Sequence, residues 1–333
     1  MTQTKKELVL AAFQNQPVDR IPVGFWYHFL PDAETAEGEG NPAIAAANLA
    51  GLKRFYEGFQ PDFIKIMSDG YFLYPNAALR DIKSVKEALP IRPIGPKARW
   101  IEEQVNLVKQ AVDAYGKEVL LFYNVFAAPR YLEFLQTAAD PNGAFVNLLK
   151  EDKAALKEIL DVISEDLASL ATRVITEGGA DGIYFSVQNL PKPEVTREVY
   201  EEIIAPAEKK ILAAANQVSA HNILHICGYA GCHNDLSWYT DYEAKVINYA
   251  AVVEGIPLSK AKALFGGRAV IGGLDNTKNS LLYSGTKDDI EAAVADIIRD
   301  AGKTGVIIGA DCTVPGDIDL QRLQWVREKA ASL

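Results

Sequence analysis

The sequence predicts an α/β fold: a (β/α)8 TIM barrel in one domain over residues 1–333, with a short helical extension at the N-terminus. Three observations point there. Short apolar, β-branched runs alternate with longer helical patterns along the chain. The runs number eight. Most are nearly continuous in apolar character, as parallel strands buried on both faces are. The competing arrangement, a doubly wound open sheet, lacks its usual companion, because no GxGxxG follows the first run.

The residues before Ile21 are expected to form a helix that closes the barrel floor. Strands are then expected at 21–29, 62–67, 119–126, 182–187, 222–227, 245–249, 269–274 and 305–310. Helical patterns fall at 41–59, 84–89, 99–115, 144–177, 196–219, 258–264, 286–301 and 320–331. Ser84 with Glu87, and Thr286 with Asp289, have the spacing of capping boxes. Gly116, Gly178 and Gly302 supply helix stops.

Composition excludes several function classes. The chain has 34 Lys+Arg against 44 Asp+Glu, a net charge of −10, and no basic stripe of the density that neutralises nucleic-acid phosphates. The longest apolar stretch, 119–126, is far short of a membrane span. Glu7 and Gln14 interrupt the N-terminal apolar run, so no signal peptide is expected. Three cysteines make no disulfide framework. The expected location is the cytoplasm, with neither nucleic acid nor membrane as a partner.

Barrel active sites sit on the loops after the strand C-termini. The polar residues at those positions are His28, Ser68, Asp69, Gln188, Asn189, His225, Cys227, Asn248, Asp275, Asn276, Asp311 and Cys312. His225 and Cys227 lie two apart, so a strand puts both side chains on one side. Cys312 ends the last strand, and in a closed barrel all strand ends share one mouth. One imidazole and two thiolates suit Zn2+, and three protein ligands leave a position open, as catalytic zinc sites do. The opposing reading makes the cysteines small buried hydrophobes and His225 a hydrogen-bonded core histidine.

Cys232 and His233 are candidates for a fourth ligand, although the surrounding Gly and Asn suggest a surface loop. Asp69 can accept hydrogen bonds from a ligand or cap the next turn. His28 can reach the mouth from the first strand. Phe25, Trp26, Tyr27, Tyr71 and Phe72 can line a pocket or pack the barrel against its loops.

These residues and their order resemble the uroporphyrinogen decarboxylase superfamily over nearly the whole chain. The likeness rests on Asp19-Arg20-Ile21-Pro22-Val23, Met67-Ser68-Asp69, Ala128-Pro129, Gly179-Ala180-Asp181-Gly182 and Gly273-Leu274-Asp275. The family fold it implies is again a (β/α)8 barrel. The decarboxylase branch carries arginines after the first strand, where this chain reads Phe25-Trp26-Tyr27-His28-Phe29-Leu30. That branch also has a Tyr where Leu135 stands and a late Gly-His-Gly where Asp311-Cys312 stands. Asp69 alone matches the carboxylate that faces the pyrrole nitrogens. Uroporphyrinogen decarboxylation, a metal-free lyase reaction, is therefore the alternative reading.

The other branch resembles methylcobamide:coenzyme M methyltransferases, whose mark is His-x-Cys followed much later by Cys. His225, Cys227 and Cys312 match it. The resemblance implies that these three hold zinc, and that zinc activates a small thiol to take a methyl group from a methylated corrinoid. The corrinoid need not be permanently bound and can arrive on a separate corrinoid protein. Asp69 and Asp311 are the expected catalytic carboxylates. His28, Gln188 and Asn189 are the expected contacts to the cofactor. The resemblance also leaves a homodimer open.

Overall fold

The computed structural model describes residues 2–80, 82–136, 144–189, 192–229 and 232–333. Seven parallel strands form one curled sheet in sequential order. They are β1 (Phe63–Ile66), β2 (Leu120–Phe126), β3 (Gly182–Val187), β4 (Ile223–Ile226), β5 (Val246–Tyr249), β6 (Ala269–Leu274) and β7 (Val306–Ala310). Each lies within one residue of a predicted run. Crossover helices cover the outer face, in the α/β barrel arrangement that the alternating pattern predicts.

The predicted first strand is the exception. Residues 21–29 form no regular strand; Val23 makes a single parallel bridge to Ile308. The eighth position is nonetheless filled. Gly24 N–H donates to the Ile308 carbonyl, and Ile308 N–H donates to that of Pro22. On the other edge Asp62 N–H donates to the Val23 carbonyl. Two features explain why the ladder stays short. Pro22 has no N–H to offer. Val23 N–H turns to the Asp62 carboxylate at 2.8 Å, which also receives both guanidinium arms of Arg20. Gly24 is required here because a Cβ would fall 2.1 Å from the Phe63 ring.

The N-terminal helix, α1 (Lys5–Phe13), carries a complete Thr4–Glu7 capping box and closes the floor as expected. Its Val9, Ala12 and Phe13 join one core cluster with Phe63, Leu120, Phe122, Ile223, Val246, Ala269 and Ile307 from the strands. The outer helices begin with α2 (Pro42–Phe59), α3 (Val85–Ala88), α4 (Arg99–Tyr115), α5 (Ala128–Gln136), α6 (Ala144–Glu151) and α7 (Lys153–Thr176). They continue with α8 (Arg197–Val199), α9 (Ala205–Asn216), α10 (Ala251–Glu254), α11 (Leu258–Leu264), α12 (Leu281–Ser284), α13 (Lys287–Ala301) and α14 (Leu320–Ser332).

The helices differ from expectation in several places, the short α10 and α12 being unpredicted. The run 144–177 is cut in two at Asp152, whose side chain caps α7 through Ala154 and Ala155 N–H. The run 196–219 contains a π-helical turn, Tyr200–Ile204, between α8 and α9. Helix α5 is unpredicted; it starts at Ala128-Pro129, with the proline where its missing N–H costs nothing. The Thr286–Asp289 box forms, whereas Ser84 caps Lys86 N–H and Glu87 turns back to Lys83 N–H.

Candidate metal centre

Strand register sets a polar layer above the apolar floor. Ser186, His225 and Asn248 are Cα partners across β3, β4 and β5, so their side chains share the inner face. Asn124 joins them from β2, donating to Ser68 Oγ at 2.8 Å. Cys227 follows β4 and continues its ladder, with its N–H on the Val187 carbonyl at 2.8 Å. The period of two then places Cys227 Sγ on the same side as the His225 ring.

His225, Cys227 and Cys312 converge. Their ligand atoms lie within 4.8 Å of one another. Cys227 Sγ is 3.9 Å from Cys312 Sγ, and Cys312 Sγ is 3.5 Å from His225 Nε2. No disulfide joins them; all three cysteines are free. Tetrahedral zinc, with bonds of about 2.3 Å to sulfur and about 2.0 Å to nitrogen, needs edges of roughly 3.8 Å between sulfurs and roughly 3.5 Å between sulfur and nitrogen. The sulfur–sulfur edge and the Cys312–His225 edge match, and the remaining pair lies within 4.8 Å, so the donor chemistry suits that ion.

Neighbouring groups aim these donors. His225 Nδ1 is hydrogen-bonded to Asn248 Oδ1. The amide of Asn248 is itself fixed, because its Nδ2 donates to the Ile271 carbonyl at 2.9 Å. Nδ1 therefore carries the proton, and the Nε2 lone pair faces the sulfurs. Asn234 Nδ2 donates to the Cys227 carbonyl at 2.9 Å and to Glu254 at 3.0 Å, pinning the loop after β4.

The thiol pair is electrically uneven. The hydrogen bond with Cys227 holds the Cys312 thiol well below its usual range, with the His225 hydrogen bond and the Lys65 charge acting in the same direction. The same bond, with burial, pushes Cys227 up. Lys65 is a buried cation inside the barrel. It is 5% exposed, and its Nζ sits 4.5 Å from the Tyr184 ring centroid and 5.0 Å from that of Trp26. Burial lowers its pKa to about 8, against the opposing pull of Cys312, Cys227 and Asp69.

The two expected catalytic carboxylates take hydrogen bonds outside the cluster. Asp311 is fully buried, and its Oδ2 accepts from Val252 and Val253 N–H at the start of α10. It thereby anchors the residue before Cys312, and burial raises its pKa to about 7. Asp69 is fully buried as well. Its Oδ1 meets His28 Nδ1 at 2.8 Å, and its Oδ2 accepts from Phe29 and Leu30 N–H. This carboxylate latches the irregular first segment to the end of β1.

Gln188 lines a small cavity beside Cys227. Asn189 instead braces the 234–235 loop, through its N–H to Asn234 Oδ1 and its own Oδ1 to Asp235 N–H. Cys232 and His233 are not among the gathered ligand atoms. Cys232 is buried rather than exposed on a loop. The His233 side chain is 63% exposed and faces Glu254 at 3.5 Å. Phe25, Trp26, Tyr71 and Phe72 are buried packing residues, with Phe72 stacked on Phe134. Lys65, Glu208 and Arg130 escaped the sequence reading. Only Lys65 left a signal there: one charge on the inner face of an apolar run.

Comparison with known proteins adds to this geometry. A family model described as uroporphyrinogen decarboxylase (URO-D) matches residues 74–333. The chain is 23% identical over 326 residues to "Methylcobamide:CoM methyltransferase MtbA" of Methanosarcina mazei, covering 92% of each chain. Its identity to the protein of that name in Methanosarcina acetivorans is 23% over 319 residues, covering 89% of each. Among solved structures, a methyltransferase from Methanosarcina mazei superposes with a TM-score of 0.71 at 16% identity, covering 99% of this chain and 98% of that one. A B12-independent methionine synthase from Shewanella superposes at 0.57 and 12% identity, covering 94% and 97%. These structural likenesses concern the fold.

Proposed function

This chain belongs to the uroporphyrinogen decarboxylase family, and on that premise we propose that it is a methyltransferase carrying a methyl group from a methylated corrinoid to a small thiol. His225, Cys227 and Cys312 are the residues that would hold zinc. The observation that carries this reading is the pair of edges at 3.9 and 3.5 Å in a three-residue donor set, which would suit zinc. The names of the two curated relatives support the reaction class.

Zinc bound there supplies a Lewis-acid position at which a thiol loses its proton near neutral pH. The chain's own groups do the rest. Asn248 keeps the proton on His225 Nδ1. Asp311 and the start of α10 hold Cys312 in place. Lys65 offers positive charge beneath a site that gathers two thiolates and then a third. Burial keeps water from screening that charge. The acceptor thiolate is the nucleophile, and orientation towards the methyl carbon is the main service of the barrel. The corrinoid arrives at the mouth on a separate protein.

Decarboxylation is the weaker reading. Asp69, the residue that favours it, spends both oxygens on His28 and the 29–30 amides. The test uses zinc-loaded protein, free methylcobalamin and a panel of small thiols. Methyl thioether formed by the wild type and lost in His225→Ala is the expected result. Conversion of uroporphyrinogen to coproporphyrinogen, without thiol methylation, would overturn the proposal.

A further inference from the structure

Beside Cys227 the barrel wall encloses a cavity of about 30 Å3, the space of one small polar group. Cys227, Ser186, Gln188, Phe126, Arg130 and Glu208 line it. Glu208 stands out in this set. It is 1% exposed, on α9, with no cation bonded to it among the described residues. Tyr200 Oη and Tyr242 Oη both donate to its Oε2 at 2.5 Å. Its Oε1 accepts from no described donor. A buried carboxylate is costly unless its oxygens are satisfied or its proton retained. Here one oxygen accepts two hydrogen bonds and the other none from a described donor, and the residue lines the same cavity as a thiol.

The backbone is built around this carboxylate. Tyr200 opens the π-helical turn, an insertion common at functional sites. Tyr239 and Tyr242 come from the loop between β4 and β5 and pack edge to face. The charged groups near Glu208 are few. Lys209, next to it in α9, turns out to Asp241, and Arg130 on α5 is paired with Glu133. Tyr200, Tyr239, Tyr242 and Cys227 complete the titratable set. Burial raises the Glu208 pKa to about 7, and the two tyrosine bonds oppose that rise.

We propose that Glu208 is the base that takes the proton from the entering thiol, through Oε1, in the cavity it shares with Cys227. The inference rests on the methyltransferase reading. The S–H bond of the acceptor breaks and its electron pair stays on sulfur. The proton forms an O–H bond at Glu208. The thiolate then forms the S–C bond as the methyl carbon leaves the corrinoid without its bonding pair, which remains on the corrinoid metal. The carboxyl returns its proton to solvent once the methyl thioether has left.

The test compares zinc-loaded wild type, Glu208→Gln and Tyr242→Phe, with methylcobalamin as donor and a panel of small thiols as acceptors. Positioned bases contribute about 10²–10⁴-fold, so Glu208→Gln should lower kcat/KM for the thiol by at least ~100-fold at neutral pH. The deficit should shrink as pH rises past the thiol's own pKa, where no base is needed. Tyr242→Phe removes a donor from the carboxylate and should move the acid limb of the wild-type profile to higher pH. Difference infrared spectra on thiol binding should show a new protonated carboxyl in the wild type and none in Glu208→Gln.

An unchanged pH profile in both variants, or the same carboxyl band in Glu208→Gln, would overturn the assignment. So would an unmoved acid limb in Tyr242→Phe, which keeps the inference open to refutation if Glu208→Gln does not fold. A wild-type protein that methylates no thiol overturns the underlying reading, and this inference with it.

Discussion

One step of two residues along each inner strand face separates two environments in this barrel. On β4, Ile223 faces the floor and His225 the mouth; on β5, Val246 and Asn248 divide in the same way. The floor is an apolar stack of buried side chains covered by Val9, Ala12 and Phe13 of α1. The mouth collects Asn124, Ser186, His225 and Asn248, then the two thiols beyond the strand ends. Period-two alternation lets one short strand serve both ends. The floor contributes burial, and the mouth spends some of that stability on buried polar groups that are only partly satisfied. Volume does not mark the difference. A concavity of about 790 Å3 opens beside Thr240, Lys245 and Arg268 on the floor side. Among the described residues, the metal-ligating atoms gather at the mouth alone.

The contrast can be broken most severely at the mouth. His225→Ala or Cys312→Ser should abolish tight zinc binding and methyl transfer while costing little stability, as judged by metal content beside a thermal melt. At the floor the reverse is expected. Phe122→Ala should cost about 3–5 kcal/mol of unfolding free energy and leave the zinc stoichiometry of the folded protein unchanged. A floor variant that strips the metal, or a ligand variant that unfolds the chain, would show that the two ends are not separable.

Lys65 sits between the two ends and tests their boundary. Its pKa falls from 10.5 when unfolded to about 8 when folded, with burial the leading cause. Between those values the unfolded chain binds the extra proton, so stability rises with pH across about 8–10.5 and the full cost applies below 8. Lys65→Met should therefore stabilise the protein at neutral pH by up to about 3 kcal/mol. The gain should vanish above the unfolded pKa, as denaturant titrations at several pH values would show. Its thiol affinity should drop at the same time. Asn248→Leu is expected to have the smallest effect, a 10–100-fold loss of zinc affinity in a chelator competition, because it frees the His225 ring without removing a ligand.

Much of the fold was legible in the residues because buried parallel strands are short apolar runs bounded by glycines and helix caps. The first strand misled because Ile21 to Phe29 has the right apolar character, whereas its pairing depends on Pro22 and on the distant Asp62 carboxylate. The convergence of His225, Cys227 and Cys312 was legible from the spacing of His225 and Cys227 and from strand ends sharing a mouth. Asp69 and Asp311 were read by position alone, and position does not show which backbone N–H groups a carboxylate meets. Glu208 lies in a helix of ordinary composition, and only the packing of three tyrosines around it marks it out.

X-ray absorption at the zinc edge of the purified protein, recorded with and without an acceptor thiol, would distinguish a thiol-accepting zinc site from a packed pair of cysteines. About one zinc per chain is expected, with two sulfurs at ~2.3 Å and one imidazole nitrogen at ~2.0 Å, and a third sulfur when the thiol is added. Zinc absent from protein grown with ample metal would contradict that expectation. So would a shell that takes up no further sulfur.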